Sequence, residues 1–130
     1  MTEHPNVQRM REGYDAFAKG DLDTLRDFMM PDVRWHVPGH TDMAGDYEGV
    51  DAVLGFFGRI FERSGGTFRA ETIALLADDR YGAAVVLLTA HREDRDLRVQ
   101  NAQVCRFDGD RIAEFWDTSS DPDALDRFFG

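Results

Sequence analysis

The chain has 130 residues, the common length of one domain, and 42% of them are hydrophobic, including ten Phe, two Trp and three Tyr. This is enough apolar material to fill one core and to line a cavity. Asp and Glu outnumber Lys and Arg by 25 to 15, giving a formal net charge of −10, and a field of this sign repels polyanions, which argues against nucleic acid and anionic membranes as partners.

Cysteine content and targeting signals indicate the compartment. Cys105 is the only cysteine in the sequence, so an internal disulfide and a site built on several cysteines are excluded. The first residues carry charges instead of an apolar run, and no apolar stretch reaches the roughly eighteen residues of a membrane span. We therefore expect a cytoplasmic protein with no signal peptide and no membrane partner.

Cofactor and metal motifs are not recognised in the sequence. His36, His40 and Asp42 have side chains of metal-ligand type, but their spacing is irregular and the segment runs into a predicted loop. The sequence also has no glycine-rich phosphate loop, nucleotide fingerprint or Ser-centred nucleophile elbow. It predicts no metal site and no cofactor.

Two helices are predicted at the start of the chain. Apolar residues between positions 6 and 19 recur at three- and four-residue steps, the period of a helix with one buried face. These residues are Val7, Met10, Tyr14 and Phe17. Gly20 ends this helix, Asp21 is suited to cap a second short helix, and Pro31 is expected to end it.

The rest of the chain predicts one more helix and a set of strands. Alternating residues indicate a half-buried strand over 33–37, followed by a loop over 40–49 and a third helix from position 50, ended by Gly65-Gly66. Four further strands are predicted as an antiparallel meander over 67–77, 83–92, 97–107 and 111–118. Segregated helices and strands predict a single α+β domain over residues 1–130.

Four short segments carry a family resemblance. They are residues 14–17 (YDAF) followed by Gly20-Asp21, residues 35–39 (WHVPG), residues 44–49 (AGDYEG) and residues 108–117 (DGDRIAEFWD). In this order they resemble the nuclear transport factor 2-like superfamily, and in particular its SnoaL-like branch, which includes polyketide cyclases and relatives of ketosteroid isomerase. The resemblance implies a cystatin-like roll, in which a cone-shaped, curled antiparallel sheet packs on three N-terminal helices and leaves a conical cavity. It does not fix the function, because this scaffold carries several enzyme classes and non-catalytic binders.

Asp117 is the first candidate for catalysis, because SnoaL-like cyclases use an Asp as acid/base at the matching place, after the Trp of the last strand. Strand alternation groups Ala113, Phe115 and Asp117 on one face, and the resemblance implies that this face looks into the cavity. A carboxylate in an apolar cavity has a raised pKa, which suits it to taking a proton from a carbon next to a carbonyl. The alternative is a strand-end Asp bonded to the backbone amides of residues 118–120.

Three neutral polar side chains are candidates to assist Asp117. Gln103 and Asn101 share the inward face of the preceding strand; many SnoaL-like proteins carry a His at the place of Gln103, whereas an amide cannot titrate. Either amide would donate a hydrogen bond to a substrate carbonyl or enolate, or else bond to the core backbone. Tyr14 would turn its hydroxyl into the cavity, as ketosteroid isomerase does with a tyrosine of its first helix, or be an ordinary core tyrosine.

The expected ligand is a hydrophobic small molecule that carries a carbonyl group. Four aromatic rings are candidates to bind the substrate as a cavity wall, or else to be plain core: Trp35, Phe57, Phe61 and Phe115. Two histidines are candidates to bind it at the cavity mouth: His40 and His91. The leading hypothesis is an isomerase, cyclase or lyase with Asp117 as acid/base. The alternatives are a non-catalytic binding module and a dimerisation scaffold. We also expect a homodimer through the outer face of the sheet, whose apolar residues would otherwise remain exposed.

Overall fold

Three helices lie in the first half of the chain, and four successive strands followed by a short helix fill most of the second half. The computed structural model describes residues 3–130. In chain order its elements are α1 (Pro5–Ala18), α2 (Leu22–Asp27), β1 (Met29–Val37), β2 (Gly45–Glu48), α3 (Val50–Arg63), β3 (Arg69–Ala77), β4 (Tyr81–Arg92), β5 (Arg95–Asp108), β6 (Arg111–Ser119) and α4 (Pro122–Phe129). The α+β class is confirmed, with one helix and one strand more than the sequence predicted.

Local capping explains where the first two helices begin. Pro5 occupies the first turn of α1, where a missing N–H costs nothing, and His4 Nδ1 accepts the Asn6 amide at 3.1 Å. In α2, Asp21 Oδ1 accepts the Thr24 amide at 3.1 Å. Pro31 does not end α2 but lies inside β1, between Met29 and Arg34, where β1 has no register partner on β6. A proline needs no ladder hydrogen bond at such an interruption.

All six strands belong to one curled, unclosed sheet, in the order β2-β1-β6-β5-β4-β3. The neighbours are antiparallel except β1 and β6, which run parallel, with Trp35 opposite Phe115. The sheet is therefore mixed at one pair, where the sequence suggested antiparallel pairing throughout. The extra strand β2 lies in the predicted loop and pairs Tyr47 with Trp35.

The inner face of the sheet packs on the helices and carries the core. In β4 the alternate residues Ala84, Val86 and Leu88 are buried, and in β5 the buried residues include Asn101 and Cys105. Strand alternation groups these residues on one face of β5, and the family resemblance implied that this face points inward.

A β-bulge changes which residues of β6 face inward. Arg106 pairs with Glu114 and the next residue, Phe107, pairs with Ile112, so Ala113 is an extra residue on β6. Simple alternation had placed Ile112 on the outer face with Glu114. The bulge instead returns Ile112 to the inner face.

The C-terminal helix α4 closes the fold beside the sheet. Asp121 caps it by accepting the Ala124 amide at 3.3 Å, and Phe128 and Phe129 are buried against the core. No helix within residues 3–130 has the length and apolar character needed to cross a membrane.

Candidate functional site

A cavity of about 120 Å³ lies between the helices and the inner face of the sheet. Most of its lining is aromatic or aliphatic, which suits a hydrophobic ligand. The lining residues are Arg9, Met10, Gly13, Tyr14, Phe17, Leu25, Phe28, Met29, Trp35, Phe56, Phe57, Ile60, Phe68, Ala70, Leu88, Gln103, Cys105, Phe107, Asp110, Ile112, Phe115 and Asp117. A smaller cavity of about 50 Å³ lies under α4, and Asp117 borders both.

Asp117 lies at the centre of the polar part of this cavity. It is opposite Gln103 in the register of β5 and β6. Asn101 Nδ2 donates to Asp117 Oδ1 at 2.9 Å, and the Gln103 side chain and the Thr118 backbone amide lie near enough to favour the ionised carboxylate. The carboxylate is thus held by Asn101 and borders the cavity.

Burial raises the pKa of the Asp117 carboxyl from 3.8 to about 6. Desolvation of the ionised form is the largest cause, and the hydrogen bonds from Asn101, Gln103 and Thr118 act in the opposite direction without cancelling it. A carboxyl with this pKa populates both protonation states near neutral pH. That is the property required of a group that takes and returns protons.

Tyr14 extends the hydrogen-bond network away from Asp117. Its hydroxyl donates to Gln103 Oε1 across the gap between α1 and β5. With Oε1 engaged by the hydroxyl, the amide nitrogen of Gln103 is directed to the carboxylate. Desolvation by burial raises the pKa of Tyr14 well above its ordinary value, so the phenol stays protonated and keeps its O–H as a hydrogen-bond donor.

Asn101 carries an unusual buried acceptor. Its side chain is 1% exposed, and within residues 3–130 its Oδ1 has no hydrogen-bond partner while its Nδ2 serves Asp117. An unsatisfied buried acceptor costs about 1–3 kcal/mol. The Asn101 amide therefore keeps this orientation because it places Nδ2, a donor, against the Asp117 carboxylate.

The aromatic wall consists largely of the rings that the sequence suggested. Trp35 stacks on Phe115 with ring centroids 3.7 Å apart and an interplanar angle of 9°, and it meets Phe57 edge to face at 5.2 Å. Phe61 does not line the cavity, because it packs behind Phe17 at 4.9 Å. Phe17 itself lines the cavity and was recognisable from its place on the same helix face as Tyr14.

The two candidate mouth histidines lie outside the cavity. His40 Nδ1 contacts Asp126 Oδ2 at 3.0 Å and its backbone amide donates to Asp126 Oδ1 at 3.0 Å, so this residue holds α4. His91 lies on the outer face of β4, where it contacts Asp96 at 2.5 Å. The structure thus brings together Asp117, Gln103, Asn101 and Tyr14 but not these histidines. Within residues 3–130 it contains no cluster of three or more His, Cys, Asp or Glu side chains suited to hold a metal ion.

Comparisons with known proteins agree with this architecture. Bal32a, from a soil-derived mobile gene cassette, has 33% sequence identity and a TM-score of 0.93, with 96% of each chain covered. The uncharacterised protein Rv0034 of Mycobacterium tuberculosis is 32% identical over 130 residues, covering 99% of both chains. IdmH of Streptomyces antibioticus, described as a candidate polyketide cyclase, has 20% identity and a TM-score of 0.78, covering 95% of this chain and 98% of its own; at that identity the likeness shows the fold alone. The SnoaL-like domain profile matches residues 10–115. The chain therefore belongs to the SnoaL-like domain family, within the nuclear transport factor 2-like fold.

Proposed function

We propose that this protein binds a hydrophobic carbonyl compound in the cavity and catalyses proton transfer without a cofactor, with Asp117 as the acid/base. The observation that carries the proposal is the Asp117 carboxyl, whose pKa is raised to about 6 by burial and which opens to an apolar cavity. Membership of the SnoaL-like family, and the shared fold with IdmH, support a cyclase, isomerase or ligand-binding role in general terms.

The reaction would use Asp117 as a base first. Its carboxylate takes a proton from the carbon next to the ligand carbonyl, and the bonding pair of that C–H bond moves to form an enolate. The protonated Asp117 then returns the proton to the same or another carbon. Tyr14 borders the same cavity and would stabilise the charge that develops on the carbonyl oxygen by turning its hydroxyl, its single donor, from Gln103 Oε1 to the ligand.

A non-catalytic binding module is the second candidate. The observation that favours it is Gln103, an amide at the place where many relatives carry a titrating His. The same cavity, with its stacked Trp35 and Phe115, would then hold a ligand without converting it.

The decisive experiment measures deuterium incorporation from heavy water into a bound ketone, with acetylnaphthalene and acetophenone as probes. Wild-type protein should accelerate exchange at the carbon next to the carbonyl. Asp117→Asn should slow exchange by ~10²-fold or more, the contribution typical of general acid/base groups, and leave the dissociation constant nearly unchanged. Asp32→Asn, which removes an exposed carboxylate from β1, is the matched control.

The outcomes separate the two candidates. Unchanged exchange in Asp117→Asn would remove this residue from the mechanism. Binding without exchange in the wild type would favour the binding module.

We also propose that two copies associate through the outer face of the sheet. Ile73, Leu76 and Tyr81 on β3 and β4 are the exposed large hydrophobic residues of the described chain, with exposures of 57%, 67% and 48%. Covering such residues is a common reason for symmetric pairing. One chain has a mass of 14.8 kDa, and light scattering should give twice that value. Leu76→Glu should shift the measured mass toward that of one chain. A monomeric wild type at micromolar concentration would contradict this.

A further inference from the structure

Among the described residues one cationic side chain borders the cavity, and it lies at the turn before β6, whereas Asp117 lies toward the other end of that strand. Arg9 of α1 lines the cavity together with Asp110, which belongs to the turn that joins β5 and β6. Its guanidinium lies over the Phe28 ring, 4.0 Å from the centroid, and its Nε donates to the Asp110 carbonyl at 3.2 Å. Two independent contacts therefore fix the guanidinium at this end.

The terminal nitrogens of Arg9 retain unused hydrogen-bonding capacity. Within residues 3–130 they have no hydrogen-bond acceptor; the nearest carboxylate, that of Glu12, is 3.8 Å from Nη1 and belongs to a partly exposed pair on the same helix. Exposed pairs of this kind contribute little. A guanidinium held by its Nε and its face presents its remaining fork to a carboxylate or phenolate oxygen.

The distance along the cavity suits a ligand of two rings. The Ile112 backbone N–H donates to the Phe28 carbonyl at 2.7 Å, and the Phe28 ring is the one that packs under the Arg9 guanidinium. From Ile112 to Asp117 the strand rises by about 13–16 Å, at about 3.3 Å per residue and allowing for the bulge. A cavity of about 120 Å³ encloses about one aromatic ring. With that ring beside Asp117, the second ring of a longer ligand would extend toward Arg9, whose side chain is partly exposed.

We infer that Arg9 is a specificity-determining residue, which selects ligands carrying an acidic oxygen group at the end opposite the carbonyl. The inference rests on the proposed function in one respect: it takes the ligand's carbonyl group to lie beside Asp117. A local cation is needed for such selection, because the net charge of −10 otherwise disfavours anionic ligands.

The test compares two probes with the same ring pair: acetylnaphthalene, and the acetylnaphthoate that carries its carboxylate at the opposite end. Calorimetric titration of wild-type protein should show at least about tenfold tighter binding of the acid, the gain typical of a charge-assisted hydrogen bond. Arg9→Met, which keeps the aliphatic stem, should abolish this preference and leave the dissociation constant of acetylnaphthalene nearly unchanged. Asp110→Asn should tighten binding of the acid, because it removes a competing negative charge at the same end.

Arg11→Met is the matched control. It removes the same charge from the same helix, but Arg11 pairs with Glu3 and does not line the cavity. Equal loss of acid binding in Arg9→Met and Arg11→Met would overturn the inference, since the effect would then be one of net charge. Equal affinity of the wild type for both probes would also overturn it while leaving Asp117-dependent exchange intact. Failure of both probes to bind would overturn this inference and the proposed function together.

Discussion

Replacing Asp117 by Asn should change how the stability of the protein depends on pH. The pKa of this carboxyl is about 6 in the folded protein and 3.8 by ordinary standards, a difference equivalent to about 3 kcal/mol. Because the folded-state pKa is the higher one, the ionised carboxylate destabilises the fold. The cost is absent below pH 3.8, grows as the pH rises toward 6, and is fully present above it.

The substitution removes this cost but also disturbs the hydrogen bonding of the carboxylate. Asn101 Nδ2 donates to Asp117 Oδ1, and an amide at position 117 has only one acceptor oxygen, so a donor left unpaired costs about 1–3 kcal/mol. Part of this is recovered if the amide of Asn101 rotates, because its unpartnered Oδ1 can then accept from the new NH₂ group. The free-energy change from the altered hydrogen bonds is the same at every pH, whereas the cost of ionising Asp117 depends on pH.

The measurement is therefore the difference in unfolding free energy between Asp117→Asn and wild type, by urea titration at several pH values. From pH 5 to pH 8 this difference should rise in favour of the variant by about 1.5 kcal/mol, the part of the about 3 kcal/mol that falls in that interval. The control Asp32→Asn should show no comparable rise, because Asp32 is exposed. A constant difference for Asp117→Asn across this range would refute desolvation as the dominant influence on the carboxyl.

Two further predictions concern the packing around the cavity. A methyl group at Gly82 would lie 2.7 Å from Met10 Sδ and 3.0 Å from Cys105 Sγ, so Gly82→Ala should lower the unfolding free energy by about 1–3 kcal/mol. The control Gly55→Ala, inside α3 with nothing within 4 Å, should instead raise it by about 0.5–1 kcal/mol; equal effects in urea titrations would contradict the contact argument. Burial raises the pKa of the Cys105 thiol to about 12, so iodoacetamide at pH 8 should alkylate it only in unfolded protein, and mass spectrometry showing rapid modification of the native state would disprove its enclosure.

The inward residues of β5 could be predicted because its side chains alternate regularly. Asn101, Gln103 and Cys105 all face the helices, as a period of two requires. Ile112 could not be placed in this way, since the bulge at Ala113 depends on the pairing of β6 with β5 and is not encoded in the alternation of β6 alone. The parallel pairing of β1 with β6 likewise joins strands that are distant in the sequence, and neither strand's own pattern encodes it.

Elements with weak local signals were missed for a different reason. β2 spans only four residues and buries none of them fully, so its pairing with β1 gives no visible hydrophobic period. α4 had recognisable start signals in Asp121 and Pro122, but its eight residues follow the last predicted strand directly. Arg9 was not singled out, because a single arginine beside a buried helix face has no sequence pattern, and only the turn around Asp110 makes it part of the cavity.

The hydrogen-bond order at the site also decides what Gln103 can contribute. Tyr14 donates to its oxygen, which leaves its nitrogen directed to Asp117. An amide in this arrangement cannot carry a proton onward, because it neither releases nor accepts one at ordinary pH. A His at the same place could relay the proton from Asp117 to a second group. With Gln103 the proposed chemistry is confined to a single titrating carboxyl, which must return the proton it takes, and this requirement is met by isomerisation and by enolate-forming cyclisation alike.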